Sequence, residues 1–280
     1  MDKNFILVAQ NTKTEDYVKQ ACLCAMSIHA TNHNANISII TDDSIPEKYV
    51  QLFDKIIPIP WGDLAEKYEW KIHNRWKIYF VSPYDQAVVL DTDMLVLDDL
   101  SNYFKFFEKY DIWLTSKVHD YRGNVITDTY YRQKFIKHNL PSVYFGLHYF
   151  NKSDFALEFY KWLDVITNNW KEFYNLDSGK PLQKTASMDI TAAMTVSILD
   201  CKSKVTNERL NSPTFTHMKP LIQNWKSPTE KWQTKVGTYL TDELELFIGN
   251  YKQHGIFHYT ENDFAKDEIM QIYENKLEII

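Results

Sequence analysis

The run Ala87-Val88-Val89-Leu90-Asp91-Thr92-Asp93-Met94-Leu95-Val96-Leu97 sets two aspartates inside an otherwise continuous apolar stretch. Short apolar runs of this kind form buried strands, where an unpaired carboxylate would be costly. The chain must therefore bring this run to a place where a strand ends and polar chemistry begins. Two strand pieces flanking two carboxylates fit the carboxyl edge of an open α/β sheet, where such sheets place ligands. Carboxylate oxygens at that edge suit a hard divalent cation that also bridges a diphosphate. Most Asp-x-Asp tripeptides are solvated turns, and the apolar flanks are what set this one apart.

The surrounding sequence predicts the sheet. Residues 5–9 read as a buried strand, followed by a helix with Val18, Ala21, Cys22, Ala25 and Met26 on one face. A second strand is expected at 36–41, a short helix after Pro46, a third strand over 55–59 ended by Pro60, and a helical segment over 73–80. This alternation implies an α/β fold with a mostly parallel sheet covered on both faces by helices. Further on, 112–116 and 143–150 read as strands. Ser153 caps a helix with Phe155, Phe159, Trp162 and Leu163 on its apolar face, 188–199 is an apolar helix, and the tail from Phe264 is an amphipathic one. The polar stretches 119–139 and 175–184 are candidate functional loops. With no linker or repeat, a single domain over 1–280 with an elaborated C-terminal half is expected.

Composition narrows the function. The formal charge is 31 − 37 = −6, which argues against nucleic acid or anionic lipid as the main partner. Cys22, Cys24 and Cys201 are too few for a disulfide framework, and neither a signal peptide nor a membrane span is evident, so a cytoplasmic location is expected. Only 7 glycines occur, with no G-x-G-x-x-G or G-K-[ST] pattern. A glycine-cradled phosphate site is thereby disfavoured, and a phosphate ligand would need another device such as the paired aspartates. Aromatic residues make up 15% of the chain. Most serve a core, while a surplus could stack on sugar or base rings.

From Arg75 through Ser82-Pro83-Tyr84-Asp85 to Val88-Val89-Leu90-Asp91-Thr92-Asp93-Met94-Leu95-Val96-Leu97-Asp98-Asp99-Leu100, the sequence resembles the nucleotide-sugar-binding core of GT-A-fold glycosyltransferases. It looks most like family 8, the retaining group that includes glycogenin and bacterial galactosyltransferases. Ala9-Gln10-Asn11, Tyr17 and the strand ending at Thr41-Asp42-Asp43 also follow that family's start. The resemblance implies a GT-A, Rossmann-like sheet in which 1–118 binds a nucleotide sugar and 119–280 meets the acceptor and closes the site. It implies that Asp91 and Asp93, with Thr92 between them, hold Mn²⁺ or Mg²⁺ on the sugar diphosphate. Ala9, Gln10, Asn11 and Tyr17 would lie around the base, and Arg75 or Lys77 would reach the donor. For Tyr17, packing on a helix face is the competing role, and Arg75 has the planar fork suited to two-point recognition.

Downstream the pattern departs from the family. Tyr144-Phe145-Gly146-Leu147 stands where an Asn-Ser-Gly-Val-like strand is usual, and Met188-Asp189-Ile190 stands where an Asp-Gln pair is usual. The resemblance makes Asp189 a contact of the transferred sugar, while an N-cap role would explain it equally well. The family's closing histidine has two candidates. Phe215-Thr216-His217-Met218-Lys219-Pro220 carries the Lys-Pro element, and Gly255-Ile256-Phe257-His258-Tyr259 carries the stronger strand signal. His258 is favoured as the third metal ligand, with His217 and Lys219 on phosphate oxygens.

The expected activity is transfer of a hexose from a UDP-sugar to a hydroxyl acceptor such as a glycan, with retention. Were the enzyme inverting, Asp120, Asp128 or Asp189 would have to serve as base. A nucleotidyltransferase or a non-catalytic carbohydrate-binding protein would use parts of the same pattern.

Overall fold

The computed structural model describes residues 2–60, 75–126, 132–173, 187–207, 209–210, 213–219, 223, 225 and 229–279. The first half alternates strands and helices: β1 (Lys3–Val8), α1 (Tyr17–Thr31), β2 (Ala35–Ile40), α2 (Glu47–Val50), β3 (Lys55–Ile57), α3 (Ile78–Val81), β4 (Gln86–Leu90), β5 (Met94–Val96) and α4 (Ser101–Phe107). The second half follows with β6 (Ile112–Thr115), α5 (Gln133–Lys137), β7 (Tyr144–Asn151), α6 (Asp154–Asn168), α7 (Met188–Ile198), α8 (Lys202–Val205), β8 (Phe215–His217), β9 (Thr238–Leu240), β10 (Leu246–Ile248), β11 (Tyr251–Lys252), β12 (Ile256–His258) and α9 (Asp267–Leu277).

Six strands form the main sheet in the order β3-β2-β1-β4-β7-β6. The pairings among β3, β2, β1 and β4 are parallel, as the sequence pattern predicts. β7 runs antiparallel to both β4 and β6, an inversion that the apolar pattern of 143–150 does not encode. Side chains alternate across the sheet. Phe5, Leu7, Ile37, Ile39, Val88 and Leu90 join the core with α1, α4 and α9, whereas Ile6, Ile40, Ala87, Val89, Ile112 and Leu114 face α3, α6 and α7. Burial on both faces explains why these strands read as unbroken apolar runs.

Several boundaries differ from the sequence reading for local reasons. β3 stops at Ile57 because the Ile59 N–H leaves the ladder for the Asp42 carboxylate at 2.9 Å, and Pro60 has no N–H to offer. The expected helix over 73–80 is, within the described residues, a tight turn over Arg75–Lys77 followed by α3, which ends just before Pro83. Ser153 caps α6 as expected, its Oγ accepting from the Ala156 N–H. The buried face of that helix is Ala156, Phe159, Tyr160, Leu163 and Ile166, rotated away from Phe155 and Trp162. Of the two polar stretches, 175–184 and 127–131 lie outside the described residues. The rest of the first contains a hairpin in which His119 bridges Val125, and then α5.

A second sheet, β5-β12-β8, crosses beside the edge of the first. β12 runs antiparallel to β5 and parallel to β8, so residues near the C-terminus sit directly against the second apolar piece of the Asp91–Asp93 run. Gly255 turns the chain into β12 at φ +68°, where an added Cβ would collide with the Thr214 backbone, so the position needs glycine. The tail helix α9 packs on the outside of α1, and its buried Glu274 takes both Lys48 Nζ, at 2.9 Å, and the Tyr49 hydroxyl. No helix among the described residues is long and apolar enough to cross a membrane. Cys22, Cys24 and Cys201 are buried free thiols.

Candidate active site

β4 ends at Leu90 and β5 starts at Met94, so Asp91, Thr92 and Asp93 form the corner between the two sheets. Backbone bonds fix that corner. The Asp91 N–H donates to Gly146 O at 2.8 Å, and the Tyr259 N–H donates to Asp93 O at 3.1 Å. Thr92 is buried, and its carbonyl lies 3.5 Å from the Tyr259 hydroxyl. His258, opposite Met94 in the β5–β12 ladder, places Nε2 2.8 Å from Asp93 Oδ2. Asp91 in turn forms an ion pair with Arg75. Burial alone would lower the pKa of His258, but the adjacent Asp93 carboxylate outweighs it and the net shift is upward. Asp93 is shifted downward for the reciprocal reason, its burial being outweighed by His258.

Asp91, Asp93 and His258 each present one ligand atom within 4.8 Å of the others. Trans ligands around a six-coordinate Mg²⁺-sized ion lie roughly 4.2 Å apart, so this set needs only small side-chain movements to close on a cation. Two carboxylates with one imidazole make a mixed donor set: carboxylates suit Mg²⁺ and Mn²⁺, and imidazole favours later first-row ions. The residues present therefore fit a divalent metal.

β7 shapes the floor beside this corner. Its pairing with β6 jumps from Leu114↔His148 to Thr115↔Tyr144, so Phe145, Gly146 and Leu147 bow away from β6. A bulge of this kind re-aims backbone and side chains near a site. The Phe145 carbonyl lies 2.8 Å from His148 Nδ1, and the Phe145 N–H donates to Asp189 Oδ1 at 2.8 Å. Asp189 stands in the first turn of α7, whose N-cap residue is Ser187, so the alternative N-cap role is corrected: its carboxylate bonds β7 instead. Arg132 Nη1 lies 3.5 Å from Asp189 Oδ2, and Nη2 donates to Val143 O at 2.9 Å.

His217 ends β8 as the register partner of His258, with the two rings 4.3 Å apart. Its Nδ1 accepts the Lys219 N–H at 3.2 Å. Burial drives the His217 pKa well down, aided by His258, Lys219 and Arg132. The Lys219 pKa is lowered by burial, with Asp189 and Asp93 close enough to oppose that shift. His217 and His258 are thus neighbours, and Lys219 lies within charge range of Asp189. Pro220 lies outside the described residues.

The N-terminal candidates divide. Tyr17 opens α1 close to Asp93 and Arg75, its pKa raised by burial first and then by Asp93. Asn11 is used locally: its N–H donates to Asp43 Oδ2 at 2.6 Å and its Oδ1 accepts from Val18 N at 3.0 Å, tying the β1 loop to α1. Ala9 continues β1 by donating to Ile40 O, and Gln10 is buried next to it. Lys77 is buried with its ammonium donating to Pro60 O at 2.8 Å, unlike Arg75, which faces Asp91. Sequence reasoning passed over Arg132 because nothing but its charge, within a polar stretch, marks it.

No family model matches the chain, and no curated protein sequence matches it. Solved structures do. The galactosyltransferase LgtC, in complex with donor and acceptor sugar analogs, superposes with a TM-score of 0.54 at 15% identity, over 99% of this chain and 96% of LgtC. Mouse xyloside xylosyltransferase 1 in its apo form gives 0.52 at 10% identity, over 94% of this chain and 99% of that one. The apo-form glycosyltransferase GlyE of Streptococcus pneumoniae TIGR4 gives 0.39 at 16% identity over 74% of this chain, which spans only 46% of GlyE. Together with the sheet order, the first two likenesses define the class: the chain has the GT-A glycosyltransferase fold.

Proposed function

We propose that the chain is a metal-dependent glycosyltransferase that moves a hexose from a UDP-sugar to a hydroxyl acceptor such as a glycan, with retention, as in family 8. One observation carries the reading. Asp91, Asp93 and His258 arrive from three different strand ends and converge at the carboxyl edge of a GT-A sheet. Asp91, Asp93 and His258 would hold Mn²⁺ or Mg²⁺, ions that the two carboxylates suit. Bound there, the metal would supply Lewis-acid stabilisation of the leaving diphosphate.

The chain's own residues divide the remaining work. Arg75, which pairs with Asp91, would share its guanidinium with donor oxygens. Lys219 and His217, beside His258, would add donors where negative charge on a leaving diphosphate needs preorganised partners. Tyr17 at the start of α1, with Ala9, Gln10 and Asn11 on the adjoining loop, borders the base. Asp189 meets the transferred sugar.

Retention is supported by how the aspartates are used. Asp120 accepts from the Arg122 and Asn124 backbone N–H groups within its own turn. Asp189 is engaged at both oxygens, by Phe145 N–H and by Arg132. Neither is arranged as a general base for an inverting attack, and Asp128 lies outside the described residues. A cytoplasmic setting is in keeping with the three free thiols.

Calorimetry with UDP, with and without Mn²⁺, tests the reading. Metal-dependent UDP binding followed by UDP release from a UDP-hexose is expected. Sugar binding without any nucleotide binding would turn the assignment to a carbohydrate-binding protein, and release of pyrophosphate from a nucleoside triphosphate would turn it to a nucleotidyltransferase.

A further inference from the structure

We propose that Arg132 is a positioning residue for sugar transfer: its guanidinium, clamped between two aromatic rings, fixes the Asp189 carboxylate in the orientation in which it meets the donor hexose. The inference rests on the reading that Asp189 contacts the transferred sugar.

Arg132 is buried. Its Cζ lies 3.4 Å from the centre of the Tyr144 ring and 4.2 Å from that of Phe135, so the guanidinium is confined by two aromatic rings as well as by its hydrogen bonds. The same group anchors on Val143 O and reaches Asp189 Oδ2. With Oδ1 held by the Phe145 N–H, both carboxylate oxygens are tied and the side chain cannot swing about its terminal bond. An ionised carboxylate has about four acceptor directions. Two are used here, which leaves two for sugar hydroxyls. Lysine offers a point charge without a stacking plane and cannot reproduce the clamp.

The geometry also joins the site's two halves. Tyr144, under Arg132, sits 6.0 Å from the His217 ring, and Phe145, bonded to Asp189, precedes the Gly146 that abuts Asp91. The orientation of Asp189 is therefore set relative to the metal corner rather than by α7 alone.

The test compares the Mn²⁺-dependent affinity for UDP with that for the tighter of UDP-glucose and UDP-galactose. The proteins are the wild type, Arg132→Met, Asp189→Asn and the double variant, with Arg132→Lys as a milder substitution should Arg132→Met fail to fold. Arg132→Met is expected to leave UDP affinity within about twofold while cutting the extra affinity conferred by the sugar about tenfold. Asp189→Asn should do the same, and the double variant should lose no more than Asp189→Asn alone. Arg132→Lys should give a loss in the same sense. Equal losses for UDP and UDP-sugar would make Arg132 a purely structural anchor and overturn the proposal, as would additive losses in the double variant. Absence of UDP binding by the wild type would instead overturn the transferase reading and the inference with it.

Discussion

Gly146 and Asp91 touch so closely that no side chain fits between them: a Cβ at 146 would stand 3.0 Å from Asp91 Cγ, nearer still to Oδ2, and 3.4 Å from Met94 Cε. Gly146 also accepts the Asp91 N–H, so the bulge of β7 is the wall against which the first aspartate of the corner is set.

Gly146→Ala should therefore act on the site more than on the fold. Overpacking costs about 1–3 kcal/mol in a well-filled region, whereas displacement of the Asp91 carboxylate should lower Mn²⁺-dependent UDP affinity at least about tenfold. Gly237→Ala is the control, because an added Cβ at 237 meets nothing within 4 Å. Calorimetry and thermal melts of the two variants check the contrast, and an unchanged affinity in Gly146→Ala would refute it.

Asp91→Asn and Asp93→Asn should abolish metal-stimulated donor turnover while leaving the fold intact. Each removes a charged oxygen donor at an edge position, and each leaves behind a cation, Arg75 or His258, that an added metal would then have to face. In a melt, UDP with Mn²⁺ at a hundredfold excess over Kd should stabilise wild-type protein by about 2.7 kcal/mol relative to ligand-free protein, and UDP alone by less, the difference being the metal's increment. Both variants should lose that increment. Retention of the full increment by both would remove the metal assignment from the Asp91–Asp93 pair.

Much of this arrangement was legible in the chain, for identifiable reasons. Strands buried on both faces betray themselves as apolar runs, so β1, β2 and β4 could be read directly, and a run broken by Asp91 and Asp93 marked the corner. The direction of β7 could not be read, because a largely aromatic and apolar strand pattern looks the same in either sense. Its bulge was equally silent, since the register jump depends on Thr115 pairing with Tyr144 across the sheet. The adjacency of His217 and His258 arises from the pairing of β8 with β12, about forty residues apart, which no local periodicity encodes. Arg132 was missed for the same reason: its partners Tyr144 and Asp189 come from elements that only the tertiary fold brings to it.

The two histidines should separate in a titration. His258 faces Asp93 within the ligand cluster, whereas His217 uses its Nδ1 on the Lys219 backbone and packs against the His258 ring. His258→Ala is expected to weaken Mn²⁺-dependent UDP binding at least about tenfold and more than His217→Ala does. The reverse ranking would transfer the ligand role to His217.

A last prediction concerns His148, which sits under the β7 bulge. The Phe145 carbonyl can only accept, so Nδ1 carries the proton and Nε2 accepts from the Tyr160 hydroxyl at 2.8 Å, a pairing that uses the neutral ring at both nitrogens. Burial pushes its pKa down to about 3 in the folded protein, against an ordinary value near 6.5. Between those two values the unfolded chain binds a proton that the folded chain does not, so stability falls on acidification, by about 1.4 kcal/mol per pH unit across that window. Above pH 6.5 neither state binds the proton and the contribution is flat. Urea midpoints at pH 7, 5.5 and 4.5 should therefore fall more steeply for wild-type protein than for His148→Gln, whose side chain keeps a donor and an acceptor but does not titrate. The stability gap between the two proteins should narrow with each step down in pH. A gap that stays constant from pH 7 to 4.5 would show that the imidazole takes up its proton alike in the folded and unfolded chain, and would refute the buried neutral ring.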